Sequence, residues 1–300
     1  MTTPGPIPDR ERIAERLISA SRKHSFDPDT ELDWDQPLEP HMWFWPPELV
    51  SLYDTPLWQR MSLEQRIELS RHEWVSISSL GIRMEIILMQ LLLRHIFDQP
   101  PTSAHTRYAL TEIADECRHS LMFGRLLARC GLPAYEMRWP YRSLARLLKT
   151  FSPTPASFTA ALVCEEIYDW MQRLTFPDER VQPLVRGVTR IHVIEEARHV
   201  RYAREELRRQ MATCARWKAE SARITAGSAA CLLSSAMIHP DVYSHVGLDR
   251  REATAQAKAS GHRRAVLRAS AERLTDYLDD IGALAGPGRH LWVASGLLAK

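Results

Sequence analysis

The sequence predicts an all-α protein built around a bundle of four long helices. Three observations support this fold class. Apolar residues recur at helical spacing over long stretches, almost no segment alternates with a period of two, and only 12 of the 300 residues are glycine. An average protein has about 7% glycine, so a β-sandwich or a glycine-loop nucleotide fold is disfavoured. We expect residues 1–300 to form a single domain.

The N-terminal segment, 1–62, is predicted to be an arm rather than part of the bundle. It has one short amphipathic stretch at 9–24, followed by many prolines and by four tryptophans, Trp34, Trp43, Trp45 and Trp58. Aromatic side chains of this kind either cover a core formed later in the chain or act as a lid over a pocket.

The four core helices are predicted at about 62–98, 103–130, 156–176 and 181–215. A capping-box pattern, Ser62 to Gln65, begins the first helix, and two consecutive prolines follow its end. Gly131 provides a common stop for the second helix. These lengths are typical of a helical bundle.

Shorter helical patterns surround the core. One lies at 141–150, between the second and third core helices, and three follow the fourth, at 220–237, 249–261 and 263–283. The Gly286-Pro287-Gly288 sequence is expected to break the last of these before a short tail.

Composition excludes several functional classes. There are 39 Lys and Arg against 37 Asp and Glu, a net charge of +2, which gives no argument for nucleic acid or membrane partners. The five cysteines are scattered without a CxxC pair, so we expect buried, reduced thiols. The N-terminus lacks a secretory signal pattern, and the most apolar run, 86–97, is shorter than the ~20 residues of a membrane span. We therefore expect a cytoplasmic protein.

Two matching five-residue motifs stand out, Asp115–His119 and Glu195–His199, each within a predicted core helix. A Glu and a His three residues apart share one helix face. Two such pairs, with one inward Glu from each of two further helices, form the arrangement of di-metal carboxylate bundles. The motifs therefore indicate Glu116, His119, Glu196 and His199 as metal ligands.

The arrangement needs one more inward carboxylate from each of the first and third core helices. Glu85 lies within an aliphatic stripe, where an unpaired charge is costly, so it is either a ligand or an ion-pair partner of a nearby arginine. In the third core helix Glu165 and Glu166 lie on neighbouring faces, and periodicity does not decide between them.

His192 is the remaining candidate. It lies four residues before Glu196 and seven before His199, so all three share one face; the alternative is a core histidine. Carboxylates combined with imidazoles favour iron or manganese, whereas structural zinc prefers cysteine. Two divalent cations would also compensate four buried carboxylates.

At these positions the chain resembles the p-aminobenzoate N-oxygenase family of ferritin-like non-haem diiron oxygenases. The family pattern is one Glu, then ExxH, one Glu and HxxxExxH, and the resemblance covers about residues 45–210, including the lead-in at 49–58. The number of residues between this glutamate and His192 matches the family pattern better for Glu165 than for Glu166, so the resemblance favours Glu165. The resemblance implies seven metal ligands: Glu85, Glu116, His119, Glu165, His192, Glu196 and His199.

The resemblance also implies a fold and an activity. The fold is a ferritin-like four-helix bundle with a di-metal carboxylate core, extended by an N-terminal arm and satellite helices. Two iron ions, with manganese as a substitute, would use O2 to oxidise the amino group of a small, aryl amine to hydroxylamine, nitroso or nitro in a biosynthetic pathway. Alternatives are a diiron C-hydroxylase or oxidative-cleavage enzyme, and a non-catalytic iron-binding or radical-storing protein.

The implied partners follow from that chemistry. The chain has no GxGxxG motif and no four-cysteine iron–sulfur pattern, so an external electron donor, a reductase or ferredoxin, is expected beside the amine and O2. A carrier protein is a further candidate partner, and a homodimer is the expectation from the family.

Residues around the motifs leave alternatives open. Asp115 and Glu195 either accept a hydrogen bond from a ligand histidine, with Arg118 and Arg198 as ion-pair partners, or are exposed charges. Glu112, four residues before Glu116, is expected on the surface, the alternative being a position that lines the cavity. Three tyrosines near the motifs are expected to lie in the core with their hydroxyls hydrogen-bonded, and the alternative is that one of them stores a radical. They are Tyr108, Tyr168 and Tyr202.

A run of arginines on the fourth core helix is expected to face solvent, and the alternative is a docking surface for a partner. It consists of Arg201, Arg204, Arg208 and Arg209.

Overall fold

The computed structural model describes residues 9–299, and the start of the predicted arm lies outside them. Helices dominate this part of the chain, and its only β-type pairing is an isolated bridge between Trp43 and Val181. The predicted all-α class and ferritin-like bundle are confirmed. The helices are α1 (Arg10–Lys23), α2 (Pro28–Glu31), α3 (Pro56–Arg60), α4 (Leu63–Ile96), α5 (Ala104–Cys130), α6 (Trp139–Phe151), α7 (Thr154–Thr175), α8 (Pro183–Thr213), α9 (Arg216–Ala236), α10 (Asp241–His245), α11 (Arg250–Ala259), α12 (Gly261–Asp280) and α13 (Gly286–Ser295).

The bundle consists of α4, α5, α7 and α8, with α4 packed on α5 and α7 packed on α8. The four predicted core helices agree with these four to within a few residues at each end. The capping box forms as expected, because the Ser62 hydroxyl accepts the Gln65 N–H and the Gln65 side chain accepts the Ser62 N–H. Gly131 ends α5 with φ of 65°, a left-handed conformation that suits glycine.

The N-terminal arm lies along the bundle. Helix α1 packs against α5 and α8, and the side chains of Trp34, Trp45 and Trp58 are buried. Trp45 also lines a small cavity beside Glu85, so the arm both covers the core and forms one wall of the interior site. The two interpretations of the arm, as a cover for the core and as part of a pocket, are therefore compatible.

Helix α4 is long and apolar enough to cross a membrane by length and composition alone, a property that the 86–97 run did not predict. In the structure it is a central helix of the bundle, and 56% of its most apolar window is buried. Of the five free thiols, Cys130 and Cys164 are buried as expected, whereas Cys117 is exposed.

The C-terminal region corrects one prediction. The sequence Gly286-Pro287-Gly288 begins helix α13 rather than a tail, since proline is well tolerated in the first turn of a helix. Helix α13 packs closely on α9, and a Cβ at Gly288 would lie 2.2 Å from the Arg223 carbonyl oxygen. Glycine is needed there for the close approach of two helices, not to break one.

Candidate metal centre

The four bundle helices bring seven ionisable side chains to one buried region. Helix α4 contributes Glu85, α7 contributes Glu165, and α5 and α8 contribute the remaining five; each of the seven is buried. They are the seven residues that the sequence predicted as metal ligands: Glu85, Glu116, His119, Glu165, His192, Glu196 and His199. Their proximity is observed, whereas their role as ligands stays a prediction.

The seven side chains form three overlapping groups, within each of which the potential ligand atoms lie within 4.8 Å of one another. His192 and Glu196 connect the group that contains Glu165 to the rest. Such overlap is what two adjacent metal ions with shared ligands require. The groups are Glu116, His119, Glu196 and His199; Glu85, His119 and His192; and Glu165, His192 and Glu196.

The two motif histidines direct their Nδ1 atoms at the same two carboxylates. His119 Nδ1 lies 3.2 Å from Glu116 Oε2 and 3.2 Å from Glu196 Oε1. His199 Nδ1 lies 2.9 Å from Glu116 Oε1 and 2.9 Å from Glu196 Oε1. The two imidazoles and two carboxylates therefore converge on one point between α5 and α8.

The outward-facing Nε2 atoms of these histidines contact two further buried carboxylates. His119 Nε2 lies 2.8 Å from Glu195 Oε2, and His199 Nε2 lies 3.2 Å from Asp115 Oδ2. These contacts make each Nε2 a donor to an outer carboxylate. Burial opposes protonation of the two rings, but the surrounding carboxylates outweigh it and raise the pKa of His119 and of His199 well above the ordinary value, so a metal ion would bind at Nδ1 in place of a proton. The hydrogen-bonding alternative for Asp115 and Glu195 is confirmed, and the exposed-charge alternative is wrong.

Two arginines balance these outer carboxylates. Arg118 pairs with Asp115 and lies 3.6 Å from Glu195, while Arg198 lies 3.3 Å from Asp115 and 3.7 Å from Glu195. Burial raises the pKa of Asp115, but the His199 hydrogen bond and the Arg118 charge outweigh it and lower this pKa to about 2. Asp115 is therefore ionised and able to accept.

His192 has the opposite arrangement of its ring. Its Nδ1 lies 2.7 Å from Gln172 Oε1, so Nδ1 donates and the Nε2 lone pair faces Glu85 Oε1 at 3.3 Å. Burial lowers the pKa of His192 to about 4, which keeps the ring neutral. A neutral imidazole is the form that binds a metal ion.

The chemistry of this donor set fits a pair of cations. Burial, followed by the neighbouring carboxylates, raises the pKa of Glu85 and of Glu165 well above the ordinary value. Glu196 Oε2 is buried and has no hydrogen-bond partner among residues 9–299. An unpaired acceptor among four clustered carboxylates is costly unless positive charge compensates it.

The ambiguity between Glu165 and Glu166 is resolved by geometry. Glu165 lies with His192 and Glu196 in the buried group. Glu166 points to the neighbouring face and accepts from Arg204, whose Nε lies 2.8 Å from its Oε1. The structure therefore brings Glu165, and not Glu166, to the candidate centre.

Glu112 was expected on the surface, and that expectation is wrong. It lies one turn before Glu116 on α5, is buried, and has no hydrogen-bond partner for Oε2 within the described part of the chain. Burial raises its pKa well above the ordinary value. The helical spacing of 112, 116 and 119 was the signal that could have placed it.

The tyrosines also differ from expectation. All three are buried, but only Tyr202 has a satisfied hydroxyl, 3.1 Å from His105 Nδ1. The hydroxyls of Tyr108 and Tyr168 have no hydrogen-bond partner among the residues described. Their predicted place in the core is confirmed, and the predicted satisfaction of their hydroxyls is wrong for two of them.

The basic run on α8 is only in part a solvated face. Arg204 pairs with Glu166 and its guanidinium lies 4.6 Å from the Tyr277 ring centroid, while Arg208 lies 2.9 Å from Asp280. The contacts with Tyr277 and Asp280 reach α12, which packs against the bundle through α7. Arg201 is exposed as expected.

A second group of ligand-type residues lies outside the centre and was missed by the sequence analysis. His95, His105 and Glu206 approach within 4.8 Å of one another. Arg10 of α1 fills this position, contacting His105 and lying 3.3 Å from Glu206 Oε2. The protein therefore supplies its own cation there. No local motif marks the group, because its three members come from three helices and Arg10 comes from a fourth.

Comparison with known proteins agrees with this architecture. The model of the family described as p-aminobenzoate N-oxygenase AurF matches residues 7–282, nearly the whole chain. Curated relatives include the uncharacterized proteins Rv0885 of Mycobacterium tuberculosis and Mb0909 of Mycobacterium bovis, each 30% identical over 204 residues. The match covers 65% of this chain and 59% of either relative, so the chain spans about three fifths of their length.

Proposed function

Since this chain belongs to the p-aminobenzoate N-oxygenase family of diiron oxygenases, we propose that it is a diiron-dependent N-oxygenase. Its proposed reaction uses O2 to oxidise the amino group of a small aryl amine to the hydroxylamine, nitroso or nitro level. The family match supports the oxygenase class, and the substrate and oxidation level are our proposal.

One observation carries this proposal. Two Glu-His pairs on different helices direct both Nδ1 atoms and both carboxylates at a common point, and each outer Nε2 is held by a carboxylate from the opposite helix. A histidine that only packs in a core needs neither convergence nor a charged partner. Orientation of this kind is typical of metal-binding histidines.

The residues that would hold two iron ions are the seven in the buried groups. Glu116 and Glu196 each lie within 3.2 Å of both motif histidines, and Glu85, Glu165 and His192 would complete the set of ligands. When bound and reduced, the iron pair would supply electrons to O2 and transfer an oxygen atom to the amine.

The chain's own residues prepare this reaction. Glu195 and Asp115 fix the ring orientation and the tautomer of His119 and His199. Trp45, Trp74 and Phe123 line the small cavity beside Glu85 and form the apolar part of its wall, which would limit the access of water to the site. Exclusion of water strengthens electrostatic interactions within the site and limits side reactions.

The stoichiometry of the first oxidation defines the partners. Conversion of an amine to a hydroxylamine and water consumes one O2, two electrons and two protons, so we propose an external reductase or ferredoxin as the electron donor. We further propose that the protein acts in the cytoplasm as a homodimer, and that a carrier protein is a candidate for presenting the amine.

The proposal is tested by single-turnover chemistry. Protein loaded with ferrous iron is exposed to 18O2 with an aniline, and products are identified by mass spectrometry; we expect label on nitrogen and about two irons per chain. The matched control is His199→Ala, which should give no product. Label on carbon would favour the hydroxylase alternative, and a stable tyrosyl radical or a core of many irons would favour the non-catalytic one.

A further inference from the structure

An apolar cavity leads to the candidate metal centre from one side of the bundle. It has a volume of about 360 Å³ and lies between α4, α6, α7 and α9. Glu165 lines it and also belongs to the buried group with His192 and Glu196. The cavity is therefore the compartment in which a molecule can reach the centre from the α7 side.

The wall of this cavity is mostly apolar, and four hydroxyl side chains interrupt it: Ser152, Ser221, Thr225 and Ser228. Leucine, isoleucine, methionine, alanine and phenylalanine side chains form most of it, with Leu88 and Leu91 from α4 and Leu148 from α6. None of the described lining residues is lysine, arginine or histidine, and Glu165 is the only carboxylate among them. The cavity thus offers no cation to pair with an acid group.

A neighbouring cavity shares part of this wall and is lined by three basic side chains, Arg94, His95 and Lys218. The arginine is already engaged, because its guanidinium donates to the Lys149 carbonyl at 2.7 Å and to the Ser152 and Ser157 hydroxyls at 2.9 Å each. These contacts hold the turn between α6 and α7. Arg94 is therefore a structural residue of that turn rather than a free anchor for a ligand.

The outer wall is formed by α6, which keeps apolar side chains in contact with solvent. Leu147 and Phe151 line the cavity and are 57% and 76% exposed. On the facing helix α9, Ile224 lines the cavity and is 43% exposed. An apolar ligand body can extend outwards between α6 and α9, and apolar exposed positions of this kind mark binding sites.

Resting on the proposed N-oxygenase function, we propose that the substrate of this chain is an uncharged aryl amine with an apolar body and no carboxylate, bound in this cavity. A carboxylate buried here would exchange its hydration for a few hydroxyl groups and would find no cation among the described lining residues. The amine enters in its neutral form, which is the form whose nitrogen lone pair is available to accept oxygen. Although the family takes its name from p-aminobenzoate, this cavity selects against that acid.

The test compares a charged acid with its uncharged ester, which also has two more carbons, so the variants described below are needed to assign the preference to the cavity. Iron-loaded protein is titrated anaerobically with 4-aminobenzoate and with its ethyl ester by calorimetry at pH 7.5. We expect the ester to bind at least about tenfold more tightly, since an unpaired buried charge weakens binding strongly. Equal or tighter binding of the acid would overturn the proposal, and so would an ester that does not bind.

Two variants locate the preference in the cavity. Thr225→Arg places a guanidinium on the α9 wall and should shift the ratio of affinities towards the acid by at least about tenfold. Leu121→Arg adds the same charge at an exposed position of α5 outside the cavity and should leave the ratio unchanged. If both variants shift the ratio equally, the preference arises from overall charge and the cavity is not its source.

Binding and turnover separate this inference from the proposed function. If the ester binds preferentially but acquires no oxygen on nitrogen, the N-oxygenase proposal fails and the ligand preference of the cavity stands. If 4-aminobenzoate binds as tightly as the ester and is oxidised on nitrogen, the function stands and the substrate class proposed here is wrong.

Discussion

His119 Nε2 lies 2.8 Å from Glu195 Oε2, across the interface between α5 and α8. The relationship is reciprocal, because His199 of α8 lies 3.2 Å from Asp115 of α5. Each helix therefore orients the histidine of the other. Two five-residue motifs that look like internal repeats in the sequence form one interlocked unit in the structure.

This interlocking predicts that the outer carboxylates control metal affinity. In Glu195→Gln and Asp115→Asn the amide is a weaker acceptor for the imidazole N–H, and the ring is less firmly oriented. We expect each substitution to weaken ferrous iron binding about 10- to 100-fold, measured by competition with a chromophoric chelator. Glu205→Gln, on the same helix but away from the group, should bind iron as the wild type does; a uniform loss in all three variants would contradict the assignment.

The three histidines are expected to differ in importance. His199 Nδ1 contacts both Glu116 and Glu196, whereas His192 contacts Glu85 and lies 3.7 Å from Glu196. His199→Ala should lose most of the bound metal, as should Glu116→Ala. His192→Ala should retain part of its iron and change the rate of the reaction with O2. Metal analysis and stopped-flow absorbance test this, and wild-type behaviour of His192→Ala would make it a structural residue.

The two adjacent glutamates on α7 should respond oppositely to substitution. Glu165→Gln removes an inward carboxylate and is expected to lower iron content without loss of the Arg204 ion pair. Glu166→Gln should keep its iron but lose about 1 to 3 kcal/mol of stability, because Arg204 is left without its charged partner. Iron content and urea unfolding of both variants decide the matter. Loss of metal only in Glu166→Gln would reverse the assignment.

Much of this architecture could be predicted from the sequence because the relevant information is local. Helical periodicity and caps located the four core helices, and the three-residue spacing within each motif placed Glu and His on one face. Periodicity could not decide which of Glu165 and Glu166 faces the centre. What decides it is the ion pair between Glu166 and Arg204, which lies 38 residues further along the chain. Such long-range pairing leaves no trace in periodicity.

Two of the predictions that failed share a physical cause. Glu112 was expected at the surface because isolated carboxylates are rarely buried, but the nearby buried centre changes that preference. Proline and two glycines predict a helix break at 286–288, yet the close approach of α9 makes glycine favourable within α13. In both cases a distant element decides the environment of a residue whose immediate neighbours suggest otherwise.

Glu73 provides a pH-dependent test of the structure away from the metal centre. Its side chain is fully buried on α4 and accepts from the Ser51 N–H, 3.0 Å from Oε2, and from the Ser51 hydroxyl. Burial outweighs these hydrogen bonds and raises the pKa of Glu73 to about 7, from 4.5. Below pH 4.5 the carboxyl is protonated in both folded and unfolded chains. As the pH rises towards 7, the unfolded chain ionises first, so the folded state loses stability.

The carboxyl of Glu73 should therefore cost about 3 kcal/mol of stability above pH 7 relative to pH 4. The side chain in Glu73→Gln is neutral at every pH. The free energy of unfolding of this variant, minus that of the wild type, should therefore increase by about 2 to 3 kcal/mol between pH 4.5 and pH 8. Urea unfolding of the metal-free proteins measures this difference, since ionisations common to both then cancel. The exposed Glu15→Gln should show no such trend. A constant difference between Glu73→Gln and wild type at both pH values would mean that Glu73 is ionised in the folded protein and that the Ser51 contacts outweigh burial.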